Sequence, residues 1–346
     1  MQASFTQPIE TEQQLDEALS RPAAADAAAM ASLSGDLMVI GVGGKMGPSL
    51  AALAKRACHE AGTTKKVIGV ARFSAPGLCE SLEKQGISTI RCDVLNRGNI
   101  EALPDCPNVV FMVGYKFGSG DHPEMTWATN AYAPALVAER FSRSRIVALS
   151  SGNVYPFWPV ESKGPAEPDP VGPLGDYAQS VLGRERMLEY FSRRDGIPLT
   201  ILRLNYAIEL RYGILRDIAD KVCHHKPINL SMGYANVIWQ RDANSVVLRC
   251  FDHCSTPPFV LNLTGAEAVS IRSIAGHFGT AFGVDPILEG EEAPTALLSN
   301  ASRCERMFGP PDVTLDQMIE YVASWVKRGG ASLGKPTHYE ERKGAF

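Results

Sequence analysis

Asp36-Leu-Met-Val-Ile-Gly41-Val-Gly43-Gly44-Lys45-Met46-Gly47-Pro48 decides the fold of this chain. A short apolar run ends in a G-x-x-G-x-x-G turn, and a helical pattern follows. Glycine suits such a turn because no Cβ blocks a close backbone approach or a positive φ. Pro48 fits the first helical turn, where its missing N–H leaves nothing unsatisfied. Bare N–H groups and a helix N-terminus then face outward, which is what a pyrophosphate needs. Strand before and helix after lift the glycine pattern above an ordinary tight turn.

Outward from this segment, apolar runs and helical patterns alternate. Strands are expected at 37–40, 66–71, 88–91, 108–113, 145–149 and 199–204. Helices are expected at 48–61, 76–85, 123–142 and 177–193. Continuous apolar strands between amphipathic helices indicate an α/β fold with a parallel sheet covered on both faces. The right-handed crossover rule makes it a doubly wound, Rossmann-type sheet with its ligand beyond the carboxyl ends of the strands. Three regions follow: a helical extension over 1–34, a dinucleotide-binding domain over 35–205, and a smaller substrate-binding region over 206–346. Within the last, 255–285 is expected to return to the sheet, with a strand at 259–263. Helices are expected at 270–282 and 315–327. The Pro- and Gly-rich stretch 161–175 reads as a long loop over the site. The polar tail from Gly329 reads as a surface strap or a disordered end.

The composition excludes several classes. The chain has 346 residues, 45% of them hydrophobic and 21% charged, with a net charge of −4. No basic stripe favours nucleic acid or an anionic membrane surface. No apolar run reaches membrane-spanning length, and residues 1–10 carry no signal-peptide pattern. Eight scattered cysteines fit free thiols in a reducing cytoplasm. Cys250-Phe-Asp-His253-Cys254 lacks a second ligand pair at metal-binding spacing, and His224-His225 reads as a surface pair, so no metal is expected.

Further segments, in order, resemble the extended short-chain dehydrogenases/reductases of the NAD-dependent epimerase/dehydratase type. These are the turn Gly41, Gly44, Gly47; Cys92-Asp93-Val94 after the third strand; Gly114 after the fourth; and Asn130 in the next helix. Ser150-Ser151-Gly-Asn-Val-Tyr155 resembles a Ser-Ser-x-x-Val-Tyr strand end. Tyr177-Ala-Gln-Ser-Val181 falls where Tyr-x-x-x-Lys belongs, followed by the acidic Glu185. Leu202-Arg203-Leu-Asn205-Tyr206 and Ile238-Trp239-Gln240-Arg241-Asp242 resemble later segments. The likeness covers roughly residues 35 to 325.

The resemblance implies a nicotinamide dinucleotide held by Gly41, Gly43, Gly44, Lys45, Met46, Gly47, Asp93, Val94, Val113, Gly114, Asn130, Tyr177 and Asn205. It implies Tyr177 as acid/base and Ser151 as the group holding the reacting oxygen. It also implies a lysine that lowers the tyrosine pKa, and here that position is Val181. A free tyrosine titrates near about 10, too high for a base at neutral pH without a neighbouring cation. The relay is therefore weakened or re-wired. Lys116, in the loop after the fourth strand, and Arg184, two turns beyond Tyr177, are the candidate replacements, and each can equally be a surface cation or a phosphate contact.

Ala71-Arg72 ends the second strand where an acid would bind the ribose 2′-hydroxyl. A guanidinium there favours NADP(H), with NAD(H) as the other option. The substrate side rests on Tyr155, Asn205, Tyr206 and Arg211, and Arg211 can bind an anion or pair with Glu209. By resemblance the substrate is a sugar, sugar nucleotide or sugar acid, changed by hydride transfer as in an oxidoreductase or epimerase. Dehydration fits less well, because Gly152 and Asn153 follow Ser151. The competing reading is a degenerate dinucleotide-binding sensor or scaffold. A homodimer through the Tyr177 helix is what the family leads one to expect.

Overall fold

The computed structural model describes residues 8–116 and 118–344. The reading of the first seven residues as a polar lead-in, and Phe117 in the loop after the fourth strand, lie outside them. The chain begins with helices α1 (Glu12–Ser20) and α2 (Ala24–Ser32), separated at Arg21-Pro22. Thr11 and Gln14 close a capping box on α1. Then follow β1 (Leu37–Ile40), α3 (Gly47–Glu60), β2 (Val67–Ala71), α4 (Leu78–Lys84), β3 (Ser88–Arg91), α5 (Arg97–Glu101) and β4 (Asn108–Phe111). Next come α6 (Pro123–Trp127), a π turn at Ala128–Tyr132, α7 (Ala133–Arg140), β5 (Arg145–Ser151), α8 (Gly175–Asp195) and β6 (Leu199–Leu204). The remainder holds α9 (Ile214–Cys223), α10 (Gln240–Arg249), β7 (Phe259–Leu263), α11 (Ile271–Phe282), α12 (Ser302–Phe308) and α13 (Leu315–Lys327).

The seven strands form one parallel sheet in the order β7-β6-β5-β4-β1-β2-β3. Strand direction alternates side chains between faces, so β1 feeds two cores. Leu37 and Val39 join Leu50, Leu53, Val246 and Val247 on one face. Met38 and Ile40 join Phe111, Val137 and Leu188 on the other. Chain order reverses between β1 and β4, and the carboxyl ends there open a crevice. A third core, with Trp239, Trp325, Ile218, Ile274 and Val322, lies beneath α9, α11 and α13.

The structure adds to the sequence reading in four places. Residues before Asp36 form a helical extension that packs as an arm: Leu15 and Leu19 are fully buried in the third core, and Met30 joins the first. The region after Leu204, in which the sequence reading places no element before 259, holds α9, whose face toward α11 and α13 is buried. Helix α10 went unassigned because buried polar residues Gln240, Arg241, Asp242, Asn244 and Ser245, held in hydrogen-bonded networks, mask the apolar stripe of Ala243, Val246 and Val247. The tail from Gly329 is a strap, exposed over 331–336 and pinned by Thr337 and Tyr339, each 1% exposed. No helix among the described residues is long and apolar enough to cross a membrane.

Candidate active site

The glycine turn packs too closely for side chains. A Cβ on Gly41, whose φ is +100°, would lie 2.9 Å from Val113 N, and one on Gly47 would lie 2.4 Å from Val42 O. Gly41 N donates to Val70 O at 2.8 Å and Gly44 N to Gly41 O at 3.0 Å. The N–H groups of Gly43, Lys45 and Met46 meet no protein acceptor among the described residues. The turn is thus a cradle of backbone donors at the head of α3, and it fits a diphosphate.

Beside it lies a cavity of about 260 Å³, enclosed by the ends of β4, β5 and β6. It continues past Gly44, Lys45, Gly114 and Tyr212 into a groove of about 910 Å³ along α3. Ser151, Tyr177, Lys116, Arg184, Asn205 and Tyr206 all line the smaller cavity. Sequence positions as far apart as 44 and 337 therefore converge on one space.

Strand β5 runs two residues further than expected and delivers Ser151 at its end. Its hydroxyl accepts from Asn153 N at 3.2 Å, donates to Asn153 Oδ1 at 3.1 Å and lines the cavity with Tyr177. Burial raises the Tyr177 pKa above its ordinary value, while the Arg184 charge and the Ser151 hydrogen bond pull it back. Val181, one turn along α8, is buried with Val154 and Tyr155 and supplies no charge.

Arg184 lies two turns beyond Tyr177 and turns its guanidinium toward the strand ends. Nη1 donates to Leu149 O at 2.6 Å, Nε to Asn130 O at 3.2 Å and Nη2 to Asn130 Oδ1 at 3.0 Å. Gly114 lies against the guanidinium: a Cβ there would sit 3.6 Å from Nη2, an ordinary contact. Burial pulls Arg184 down to about 10, still charged at neutral pH. Lys116 approaches the Tyr177 ring from the other side, 5.8 Å from its centroid. Its Nζ donates to Thr337 O at 3.2 Å. Burial lowers it to about 8, and the nearby Asp217 carboxylate opposes that shift.

Lys45 spans the crevice. Its Nζ donates to Ala207 O at 2.5 Å and lies 4.3 Å over the Tyr212 ring. Burial lowers it to about 8, against the pull of Glu209. Met46 is buried in the cavity wall, and Asn205, 2% exposed, donates to Leu297 O at 3.4 Å. Tyr206 holds a left-handed φ of 44° at the cavity edge, a conformation costly for a bulky side chain. Arg72 is exposed at the end of β2, in register one residue from Arg91 on β3. Asp93 accepts from Leu95 N at 3.0 Å, turning the chain after β3, with Val94 half-buried beside it. Val113 closes over Gly41.

Three assigned roles need correction. Asn130 is fully buried and spends its amide on Tyr115, Ser180 and Arg184, so it positions the guanidinium and the Lys116 loop without facing the cavity. Tyr155 is no cavity wall: its hydroxyl donates to Asn262 Oδ1 and accepts from Arg203 Nη1, behind the cavity. Arg211 is taken by Glu209, Glu12 and Asp16 at 3.0–3.3 Å, outside the cavity, so it offers no free charge to a substrate. Two of these three acids lie on α1 or at its start, a pairing no local pattern signals. The sequence reading missed Thr337, which lines the cavity from more than a hundred residues downstream, whereas Tyr212, grouped from the sequence with Asn205, Tyr206, Glu209 and Arg211 on the substrate side, does line it.

Residues 37–208 match the model of the NAD dependent epimerase/dehydratase family. No match is found among curated proteins by sequence. Among solved structures, a UDP-glucuronic acid 4-epimerase from Bacillus cereus, bound to a UDP-sugar analogue and NAD, superposes with a TM-score of 0.72 at 18% identity. The match covers 85% of this chain and 99% of that one. A UDP-glucose 4-epimerase from Thermotoga maritima, bound to UDP-glucose, superposes at 0.69 with 15% identity over 85% and 99% of the two chains. The Thermus thermophilus UDP-glucose 4-epimerase in complex with NAD superposes at 0.68 with 15% identity over 84% and 99%.

Proposed function

We propose that this chain, whose residues 37–208 belong to the NAD-dependent epimerase/dehydratase family, is an oxidoreductase or epimerase acting on a sugar-type substrate through a re-wired proton relay. One observation carries the reading. Ser151 and Tyr177 line one cavity that is continuous with the glycine turn. The backbone donors of Gly43, Lys45 and Met46 would hold the dinucleotide's diphosphate, with the Lys45 ammonium beside them. A bound nicotinamide would take or give the hydride.

The chain's own residues handle the proton. Ser151 orients the reacting oxygen. Tyr177 gives it a proton or removes one. Arg184 and Lys116 supply the positive field that favours the phenolate, taking over from the absent motif lysine at Val181. Arg184 keeps its charge throughout the working pH range, whereas Lys116 loses its charge above about 8. Arg72, reinforced by Arg91, favours the 2′-phosphate of NADP(H), although the solved relatives named above hold NAD where a cofactor is given.

A homodimer through α6–α8 agrees with the surface. Met125, Trp127, Tyr132, Met187 and Tyr190 are five of the eight exposed large hydrophobic residues among those described.

The test is turnover of NAD(P)(H) with sugars and sugar acids, together with product analysis for redox-neutral epimerisation. Arg72→Glu is expected to weaken NADP binding at least tenfold and to spare NAD. The competing reading, a degenerate binder, is favoured by the raised Tyr177 pKa and by Val181. Tight cofactor binding with no chemistry on any such substrate would establish it.

A further inference from the structure

The polar tail beyond α13 is built into the site. Leu333 N donates to Arg211 O at 3.0 Å, anchoring its start. Thr337 donates from N and Oγ1 to Asp217 Oδ2 at 2.8 and 2.6 Å and lines the cavity. Tyr339 is sunk in the third core, and Lys221 pairs with Glu340 at 3.0 Å. Arg342 donates to Ser231 O and to Thr295 O and Oγ1 at 2.8–3.2 Å, with its guanidinium 4.3 Å over the Phe157 ring. Gly344 meets the start of α8 backbone to backbone: a Cβ on Gly175 would fall 2.1 Å from Gly344 O.

This segment stops the cavity on the side away from the glycine turn. Beyond Asn153 and Tyr206 only about 30 Å³ remains, walled by Phe157, Leu174, Leu297, Glu341 and Gly344. The cavity itself, at about 260 Å³, falls below the ~300–1,000 Å³ typical of pockets for drug-sized ligands. On that side a nucleotide-linked sugar has no room to extend, and the cavity's continuation runs past the glycine turn into the groove along α3.

The charge of the wall narrows the choice further. Lys45, Lys116 and Arg184 line the cavity, and no carboxylate does so among the described residues. The nearest acids are engaged elsewhere: Asp217 with Thr337, Glu209 with Arg211, and Glu185 with Arg203. Lys45 belongs to the glycine turn and to the cofactor's phosphates. Lys116 and Arg184 flank Tyr177 and face the reacting end. We infer that the site takes a compact hydroxy acid or oxo acid of sugar type with a free carboxylate, and that residues 331–344 exclude nucleotide-linked sugars. This rests on the reading of Tyr177 and Ser151 as the reacting pair.

Calorimetry on protein saturated with NADP or NAD, whichever binds more tightly, tests it, and uptake of both is measured first on the same sample. Failure of NAD and NADP to bind would sink the functional reading itself, independently of the substrate arms. The probes are a panel of four- to six-carbon aldonates, their neutral alditols, and UDP-glucose. At least one aldonate is expected to bind tenfold or more tighter than its alditol, with UDP-glucose giving no heat. Lys116→Met is expected to erase the aldonate preference. A variant lacking residues 341–346 is expected to gain UDP-glucose binding. Glu341→Gly/Arg342→Ala replaces it if the shortened chain melts below the wild type. UDP-glucose binding to the wild type, an alditol matching every aldonate, or no gain in the loosened variants would each overturn the inference.

Discussion

Arg184 carries the most consequence of any single side chain in the cavity. Three hydrogen bonds fix its guanidinium while its charge acts on Tyr177. Lysine cannot reproduce a planar fork that reaches two carbonyls and an amide oxygen together. Arg184→Lys is expected to lower kcat about 10-fold and Arg184→Met about 100-fold or more, within the ~10²–10⁴-fold range of acid–base assistance. Steady-state kinetics with the rate-active cofactor checks this, and binding of that cofactor reports whether the site survives. Lys116 acts through pH. Its ammonium favours the phenolate below about 8 and ceases to do so as pH rises through that value. The wild-type pH profile of kcat/KM is expected to break near 8, and the break should vanish in Lys116→Met. An unchanged profile would remove Lys116 from the relay. At this scale the sequence disclosed identities and left partners open. Arg211 looked available for a substrate, yet Glu12 and Asp16, almost two hundred residues earlier, claim it together with Glu209.

Elements β5, β6 and α8 meet behind the cavity through a buried ion pair. Arg203 on β6 bonds Glu185 on α8 at 2.8 Å, and Ser150 on β5 donates to the same carboxylate at 2.6 Å. Glu185 is 1% exposed. Removing one partner leaves a charge buried without compensation, a loss of about 3–5 kcal/mol. Arg203→Met is therefore expected to lower the unfolding free energy by about that amount in denaturant titrations. Arg203→Met/Glu185→Leu is expected to recover much of it. Element positions were legible wherever a continuous apolar run or an amphipathic stripe governs: β1, β3, β6, β7 and α13 lie where the pattern places them. Helix α10 was not legible, because Asp26, Asp312 and Val313 satisfy its buried Arg241 and Asp242 from far along the chain. The π turn at 128–132 was hidden as well, since helical periodicity continues through it.

The whole molecule joins its ends to its crevice. Helix α1 inserts Leu15 and Leu19 into the core under α9, α11 and α13. Leu15→Ala is expected to cost about 2–5 kcal/mol of stability, as buried leucines do when a cavity is left behind. A substitution on a detachable arm would cost almost nothing, and thermal unfolding separates the two. From the other end, residues 331–344 cross from α13 over the cavity to the start of α8. By itself the sequence determined the parallel sheet and the glycine cradle. Those features rest on local periodicity, glycine stereochemistry and crossover handedness, all of which act over a few dozen residues. The pairing of Ser151 with Tyr177 was an expectation from the family resemblance. Only the tertiary structure decided which cations flank Tyr177, which acids silence Arg211, and that the tail walls the cavity. Such contacts join positions hundreds of residues apart, and burial, rather than any local pattern, selects them.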